Sequence, residues 1–337
     1  MGQYAARRFL YLLMVLMVVS AITFFIMHQI PGGPFSTEKK LNPTVLQNLN
    51  QKYHLDDPLP TQYADYMVDI FIPRVTSQEK VFSVTDDYLV NINLPVGDDL
   101  ALRWINFGPS YKSPTLSVND IVRDHLPVSA QLGVLALLVA MIIGIPLGIL
   151  AALRKNTTVD YISMSTAILG VSVPVIVLGP TLKYIFAVEL GLVPTSGWGE
   201  FNQMILPAFA LGFAQSALLA RLTRASLLQV LNEDYIRTAY AKGLRQRRVV
   251  IVHAMKNAMI PVMTIIGPLF AALITGTFVT ERVFGIPGLG SYFVTSITNR
   301  DYSVIMGTTL IFAFFIVVAN FLVDLTYAWL DPRIRLS

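Results

Sequence analysis

Six long stretches of this chain carry no charged side chain at all: residues 9–27, 126–153, 161–182, 204–220, 258–279 and 304–323. About 20 apolar residues in helical form cross a hydrocarbon layer ~30 Å thick. Backbone in lipid must satisfy its own hydrogen bonds, which leaves helices as the outcome for runs of this length. Six transmembrane helices are therefore expected, in an all-α polytopic membrane protein. The composition agrees: 54% of the residues are hydrophobic and 14% charged, whereas soluble domains carry roughly 25% charge. Arg7 and Arg8 precede the first run like the start of a secretory signal. That run is too long for a signal core and lacks a small-residue cleavage site, so a retained anchor helix is expected.

Basic residues set the orientation. With the amino terminus inside, the inner segments hold Arg7, Arg8, Arg154, Lys155, Arg221, Arg224, Arg237, Lys242, Arg245, Arg247, Arg248, Lys256, Arg333 and Arg335. The short outer loops, 188–203 and 280–303, hold only Arg282 and Arg300 as basic residues. The long loop 29–125 has eight basic and twelve acidic residues, but long loops translocate largely regardless of charge. Both termini are expected in the cytoplasm. The net charge of +4 then belongs to inner loops, and no nucleic-acid partner is implied.

Three parts are expected: an anchor helix (1–30), an extracellular excursion (31–125) and a five-helix core (126–337) with a cytoplasmic loop at 221–257. In the excursion, 41–53 and 60–72 have amphipathic helical spacing. Residues 73–103 alternate Val, Ile and Phe with turn residues, as in a β-hairpin, and look like extra length that insertion does not need. In the inner loop, Asn232 is the expected N-cap, with Glu233 and Asp234 at the positive end of a helix over 234–243. Ile236, Ala239, Tyr240 and Gly243 fall on one face, and Gly243 suits a helix end or a close turn. A second helix over 246–257 leads to Pro261. The pattern fits either a helix that docks a partner or a basic linker lying on anionic lipid.

Several chemistries are excluded. The chain has no Cys, hence no disulfide or thiolate site. His28, His54, His125 and His253 are too scattered for a metal set, and no metal site is expected. No phosphate-binding Gly-x-x-x-x-Gly-Lys, His-Glu-x-x-His or Gly-x-Ser-x-Gly occurs, so no catalytic residue is assigned. Lys183, late in the third run, is the candidate for the translocation path, the plainer alternative being snorkelling to the outer interface. Asp324 is expected to pair with a basic residue near the inner end of the sixth run.

The inner-loop sequence Asp234-Tyr-Ile-Arg-Thr-Ala-Tyr-Ala-Lys-Gly-Leu, followed by His253-Ala-Met-Lys-Asn-Ala-Met-Ile-Pro261, resembles the cytoplasmic "EAA" loop of ABC-importer permeases in its peptide branch. Val283-Phe-Gly-Ile-Pro-Gly-Leu-Gly290, Asn299-Arg-Asp-Tyr302, Arg7-Arg8 with His28-Gln-Ile-Pro-Gly-Gly-Pro34, Asn106-Phe-Gly-Pro-Ser110 and Asp331-Pro-Arg-Ile334 extend the likeness over nearly the whole chain. It is that of the B-type permease subunits of oligopeptide importers, although Arg237-Thr238-Ala239 stands where the generic pattern has Glu-Ala-Ala. The resemblance implies a type I importer permease fold in a bacterial cytoplasmic membrane. It implies a second homologous permease, two ATPase subunits that bind ATP and Mg, and an extracellular or periplasmic peptide-binding protein. This chain itself would bind no cofactor. Tyr235, Ile236, Ala239, Tyr240, Lys242 and Gly243 would form the ATPase-coupling helix, with Arg237, His253, Asn257 and Pro261 supporting the loop. The cargo implied is oligopeptides; dipeptides, glutathione, nickel chelates or sugars are alternatives within the branch. A self-sufficient channel or secondary transporter is the rival class, and would need intramembrane carboxylates or broken helices.

Overall fold

The apolar runs become helices, but the third of them is broken. The structure, a computed structural model, describes residues 2–35, 42–77, 87–94, 100–275 and 277–330. Among the described residues, four helices are long enough and apolar enough to span a membrane: α1 (Gly2–Gln29), α4 (Val118–Leu153), α7 (Phe201–Leu231) and α14 (Tyr302–Leu330). The third expected span is instead a bent pair. α5 (Thr158–Ser172) and α6 (Val175–Leu182), the latter continued by a π-helical turn over Lys183–Glu189, meet at 100°. The cause is local. Pro174 disfavours helical backbone at the residue before it, and Val173 is extended, with φ −100° and ψ 113°. The expected second helix of the inner loop, within Gln246–Ala258, meets the helix of the fifth run, α11 (Ile260–Thr275), at 52°.

The chain divides into two compact units. One comprises Val128–Gly288 with the first residues of α1 and the distal part of α14. Its core joins Leu132, Ala136 and Ala140 of α4 to Leu206, Ala208 and Leu211 of α7 and to Val262, Leu269 and Leu273 of α11. Small residues recur every fourth position on α4 (Ala136, Ala140, Gly144, Gly148, Ala152) and on α7 (Ala208, Gly212, Ser216, Ala220). These stripes meet backbone to backbone. A Cβ on Gly144 would lie 2.5 Å from the Ser216 carbonyl oxygen, and one on Gly212 would lie 2.3 Å from that of Ala136. In lipid, where apolar burial gives little drive between helices, this close approach supplies the packing. α5 uses the same device, with Gly170 against the Phe213 carbonyl. Its first turn is held by a bidentate pair: Arg224 Nε and Nη2 donate to Asp160 at 2.8 and 2.7 Å.

The second unit comprises Phe9–Pro127 and Leu289–Phe314. The expected amphipathic helices are α2 (Pro43–Lys52) and α3 (Leu59–Phe71). Three antiparallel strands follow, β1 (Arg74–Ser77), β2 (Val90–Asn93) and β3 (Leu100–Trp104), in the order β1-β3-β2. The expected strand content at 80–84 lies outside the described residues. This segment is more than extra length. Asp87 accepts from Ser117 Oγ at 2.5 Å and from Arg123 at 3.2 Å, and its carbonyl accepts from Asn119 Nδ2 at 2.7 Å. The start of α4 is thereby tied to it. Motifs far apart in sequence converge in the same unit. Arg300 donates to the Pro31 carbonyl at 2.8 Å, and Asp301 accepts from the Tyr111 amide at 3.1 Å.

Candidate functional site

The loop leaving α7 begins with a hydrogen-bonded stop. Asn232, the residue expected to cap the next helix, caps the previous one instead: it ends α7 and donates Nδ2 to the Leu228 carbonyl at 2.9 Å. Glu233 is the N-cap of α8 (Asp234–Ala241), and Asp234 lies in its first turn, where the helix dipole favours negative charge. The far end is a Schellman motif. Lys242 is the C-cap, and Gly243 adopts φ +75°, where an L side chain is strained. The Gly243 amide donates to Tyr240 O at 2.9 Å, and the Leu244 amide to Ala239 O at 3.3 Å. Gly243 therefore ends the helix and presents no helical face.

The expected docking face is also divided. Ile236 is fully buried and Ala239 nearly so, in a cluster with Ala152, Leu227, Val249, Ala254 and Ala258. The physical reason is that an eight-residue helix is unstable alone and spends its apolar side on the parent protein. What α8 presents outward is Tyr235, Arg237, Tyr240 and Lys242. Beyond it come α9 (Gln246–Arg248), a π-helical stretch over Val249–Ala254 and α10 (Met255–Ala258). Asn257 donates to Tyr235 Oη at 2.8 Å and ties this second arm to α8. His253 is half-buried in the π-helical stretch, and Pro261 sits exposed in the first turn of α11, where no amide donor is needed. The Arg237–Asp234 pair at 3.5 Å is wholly exposed and contributes little. Arg245, Arg247 and Arg248 add exposed charge beside exposed Ile251 and Val252.

Lys183 is engaged by the protein itself. Its ammonium donates to the Val283 carbonyl at 3.1 Å, at the C-terminal end of α12 (Phe278–Phe284), where the dipole is negative. The residue missed from sequence is Glu281. Expected in an outer loop, it is 0% exposed in α12 and accepts from Ser129 Oγ at 2.7 Å and Thr277 Oγ1 at 2.6 Å. Gly288 passes so near that a Cβ there would lie 2.2 Å from the carboxyl carbon. The signal in sequence was the Gly-Ile-Pro-Gly turn, which fits a close backbone approach. α13 (Leu289–Asn299) follows it. Asp324 and the Asp331-Pro-Arg-Ile334 motif lie outside the residues whose side chains are described. No cluster able to hold a metal ion occurs among the described residues.

These features define a class: a polytopic helical membrane protein with a sharply bent third span, a core of close-packed small residues, and a short helix anchored on the loop between α7 and α11. Residues 144–336 match the family described as "Binding-protein-dependent transport system inner membrane component", and residues 1–84 match its N-terminal companion, "Binding-prot-dependent transport system membrane comp, N-term". The chain belongs to the family of binding-protein-dependent transport system inner membrane components.

It is 43% identical over 336 residues to the dipeptide transport system permease protein DppB of Bacillus subtilis, covering 100% of this chain and 99% of that protein. It is 40% identical over 337 residues to the oligopeptide transport system permease protein OppB of Salmonella typhimurium, covering 99% of this chain and all of that one. Among solved structures, the MetNI methionine ABC transporter in an inward-facing conformation matches with a TM-score of 0.52 at 16% identity, covering 63% of this chain and 96% of that one. An amino acid ABC transporter matches with a TM-score of 0.50 at 16% identity, covering 62% and 94%. The fold is that of ABC-importer permeases, as expected from the sequence.

Proposed function

We propose that this chain is one permease subunit of an ATP-driven importer that carries short peptides across a bacterial cytoplasmic membrane, with both termini inside. The observation that carries this reading is identity of 40–43% along the whole length with permeases named for oligopeptides and dipeptides. α8 is the coupling element. It is held from beneath by Ile236 and Ala239, stopped by Gly243, braced by Asn257, and offers Tyr235, Arg237, Tyr240 and Lys242 to a cleft in an ATPase subunit. When two ATPase subunits close around ATP and Mg, that cleft moves α8. The buried anchor passes the movement to the ends of α4 and α7, whose Ala152 and Leu227 it touches. A second, homologous permease completes the path, and a peptide-binding protein delivers cargo from outside. The chain needs no cofactor of its own and performs no hydrolysis.

Reconstitution tests this. Proteoliposomes holding this chain with a second permease, the ATPase pair and the binding protein should accumulate labelled tripeptide only with ATP. Proteoliposomes holding this chain alone should accumulate none. Peptide movement by the chain alone would favour a self-sufficient carrier, with Glu281 as its intramembrane carboxylate.

A further inference from the structure

In the second unit, the end of α1, one side of α3, the start of α14, residues 53–55 and Tyr111 line a half-open cavity of about 190 Å³. At ~30 Å³ per water molecule it has room for one terminal residue of a chain, the rest of which would lie outside it. Its walls are aromatic. The Phe24 and His28 rings lie 4.2 Å apart, His28 and Tyr302 5.0 Å, and Tyr53 and Tyr111 4.8 Å. Two of its polar atoms, His28 Nε2 and Tyr66 Oη, are buried and have no hydrogen-bond partner. Such atoms are rare and costly unless something fills the space. His28 Nδ1 lies 2.8 Å from the Phe24 carbonyl, which can only accept. In the neutral ring the proton is therefore on Nδ1, which leaves Nε2 as an acceptor.

Burial holds the Tyr66 and Tyr111 phenols above their ordinary range, so both stay neutral. Two carboxylates line the rim, Asp65 and Asp69. Asp69 is paired with Arg74, whereas Asp65 has no ion-pair partner among the described residues. His54, also at the rim, turns to Asp57 at 3.4 Å. Acceptors, π faces and the exposed carboxylate of Asp65 in the lining suit a donor-rich cation.

We propose that this cavity binds the α-ammonium end of a short peptide, with His28 Nε2 and Tyr66 Oη accepting its hydrogens and Asp65 supplying the counter-charge. The assignment of the cation to cargo rests on the proposed function. The test is calorimetric titration of the full chain in lipid nanodiscs with tri-alanine amide, N-acetyl-tri-alanine amide and N-acetyl-lysine amide. Tri-alanine amide should bind. N-acetylation, Asp65→Asn and Tyr66→Phe should each weaken binding by about tenfold, the factor a charge-assisted hydrogen bond is worth. Asp56→Asn, outside the cavity, should change nothing. Equal binding of the acetylated peptide, binding of the lysine derivative alone, or indifference to both cavity variants would overturn the proposal. Separately, ATP-driven uptake by the full complex with no binding here overturns this inference and leaves the proposed function intact. Absence of any peptide uptake overturns that function and with it the cargo assignment.

Discussion

Gly243 shows how one residue can keep a role predicted for it while losing another. A small residue at that position was expected either to end the helix or to sit on its docking face; the left-handed backbone at φ +75° makes it the stop. Gly243→Ala should cost about 1 kcal/mol of local stability, because the Cβ meets open space and only the conformation is strained. Uptake should fall while the chain remains inserted, and amide exchange at Leu244 should speed up. Asp160 was passed over in the sequence because an aspartate beside an inner loop is unremarkable there. It is 2% exposed and grips Arg224 with both oxygens. Asp160→Asn should destabilise the chain by about 1.5 kcal/mol, the low end for a hydrogen bond to a charged group when the arginine partner is partly exposed, read as a lower midpoint of thermal unfolding in detergent. Equal midpoints for variant and parent would assign the pair no structural weight.

At the scale of elements, α8 separates anchoring from docking. Ile236→Asp would put a charge in the buried cluster and should dislodge the helix, lowering both stability and uptake. The triple substitution Arg237→Ala, Tyr240→Ala and Lys242→Ala touches only exposed side chains and spares the Tyr235–Asn257 bond. It should leave the unfolding midpoint unchanged and abolish co-purification of the ATPase subunits. Retention of the ATPases by that variant would move docking elsewhere, the exposed Arg245–Arg248 arm being next in line. The α4–α7 contact obeys a different rule, since backbone touches backbone there. Gly212→Ala would place a Cβ 2.3 Å from a carbonyl oxygen. It should cost 1–3 kcal/mol by overpacking, roughly the penalty of an inserted methyl group in a full core. Gly33→Ala, with no atom within 4 Å of its Cβ, is the matched control and should leave the midpoint where it is.

For the whole molecule, orientation is the quantity to measure. The chain has no cysteine, so single cysteines report cleanly. One replacing Ser77 should react with an impermeant maleimide in intact cells, and one replacing Gln246 should react only after lysis; the opposite pattern would reverse the topology. The excursion is a second test. Deletion of 73–103 was expected to spare the membrane core. The structure changes that outcome, because Ser117, Asn119 and Arg123 at the start of α4 would all lose contacts with Asp87. The deletion should reduce the amount of folded chain recovered, whereas Val75→Thr, at an exposed strand position, should not.

Hydropathy alone determined that the chain crosses a membrane as helices, because no other backbone satisfies itself in lipid, although α4 begins 8 residues before its uncharged run and α7 ends 11 residues after its own. The motif string around Asp234–Lys242 was enough to recognise the family, since those residues are contiguous. What the sequence left open depends on contacts between distant segments. Whether residues 161–182 cross straight or bend was decided by Val173 giving way before Pro174. That the four-residue stripes on α4 and α7 are one interface became visible only when the helices faced each other. Glu281 read as a loop residue, because burial of a carboxylate needs Ser129 from another helix and a glycine turn folded over it. Which side of α8 is free was likewise a tertiary matter: periodicity draws a face, and only the neighbouring helix ends decide whether that face is spent inside the protein or left for a partner.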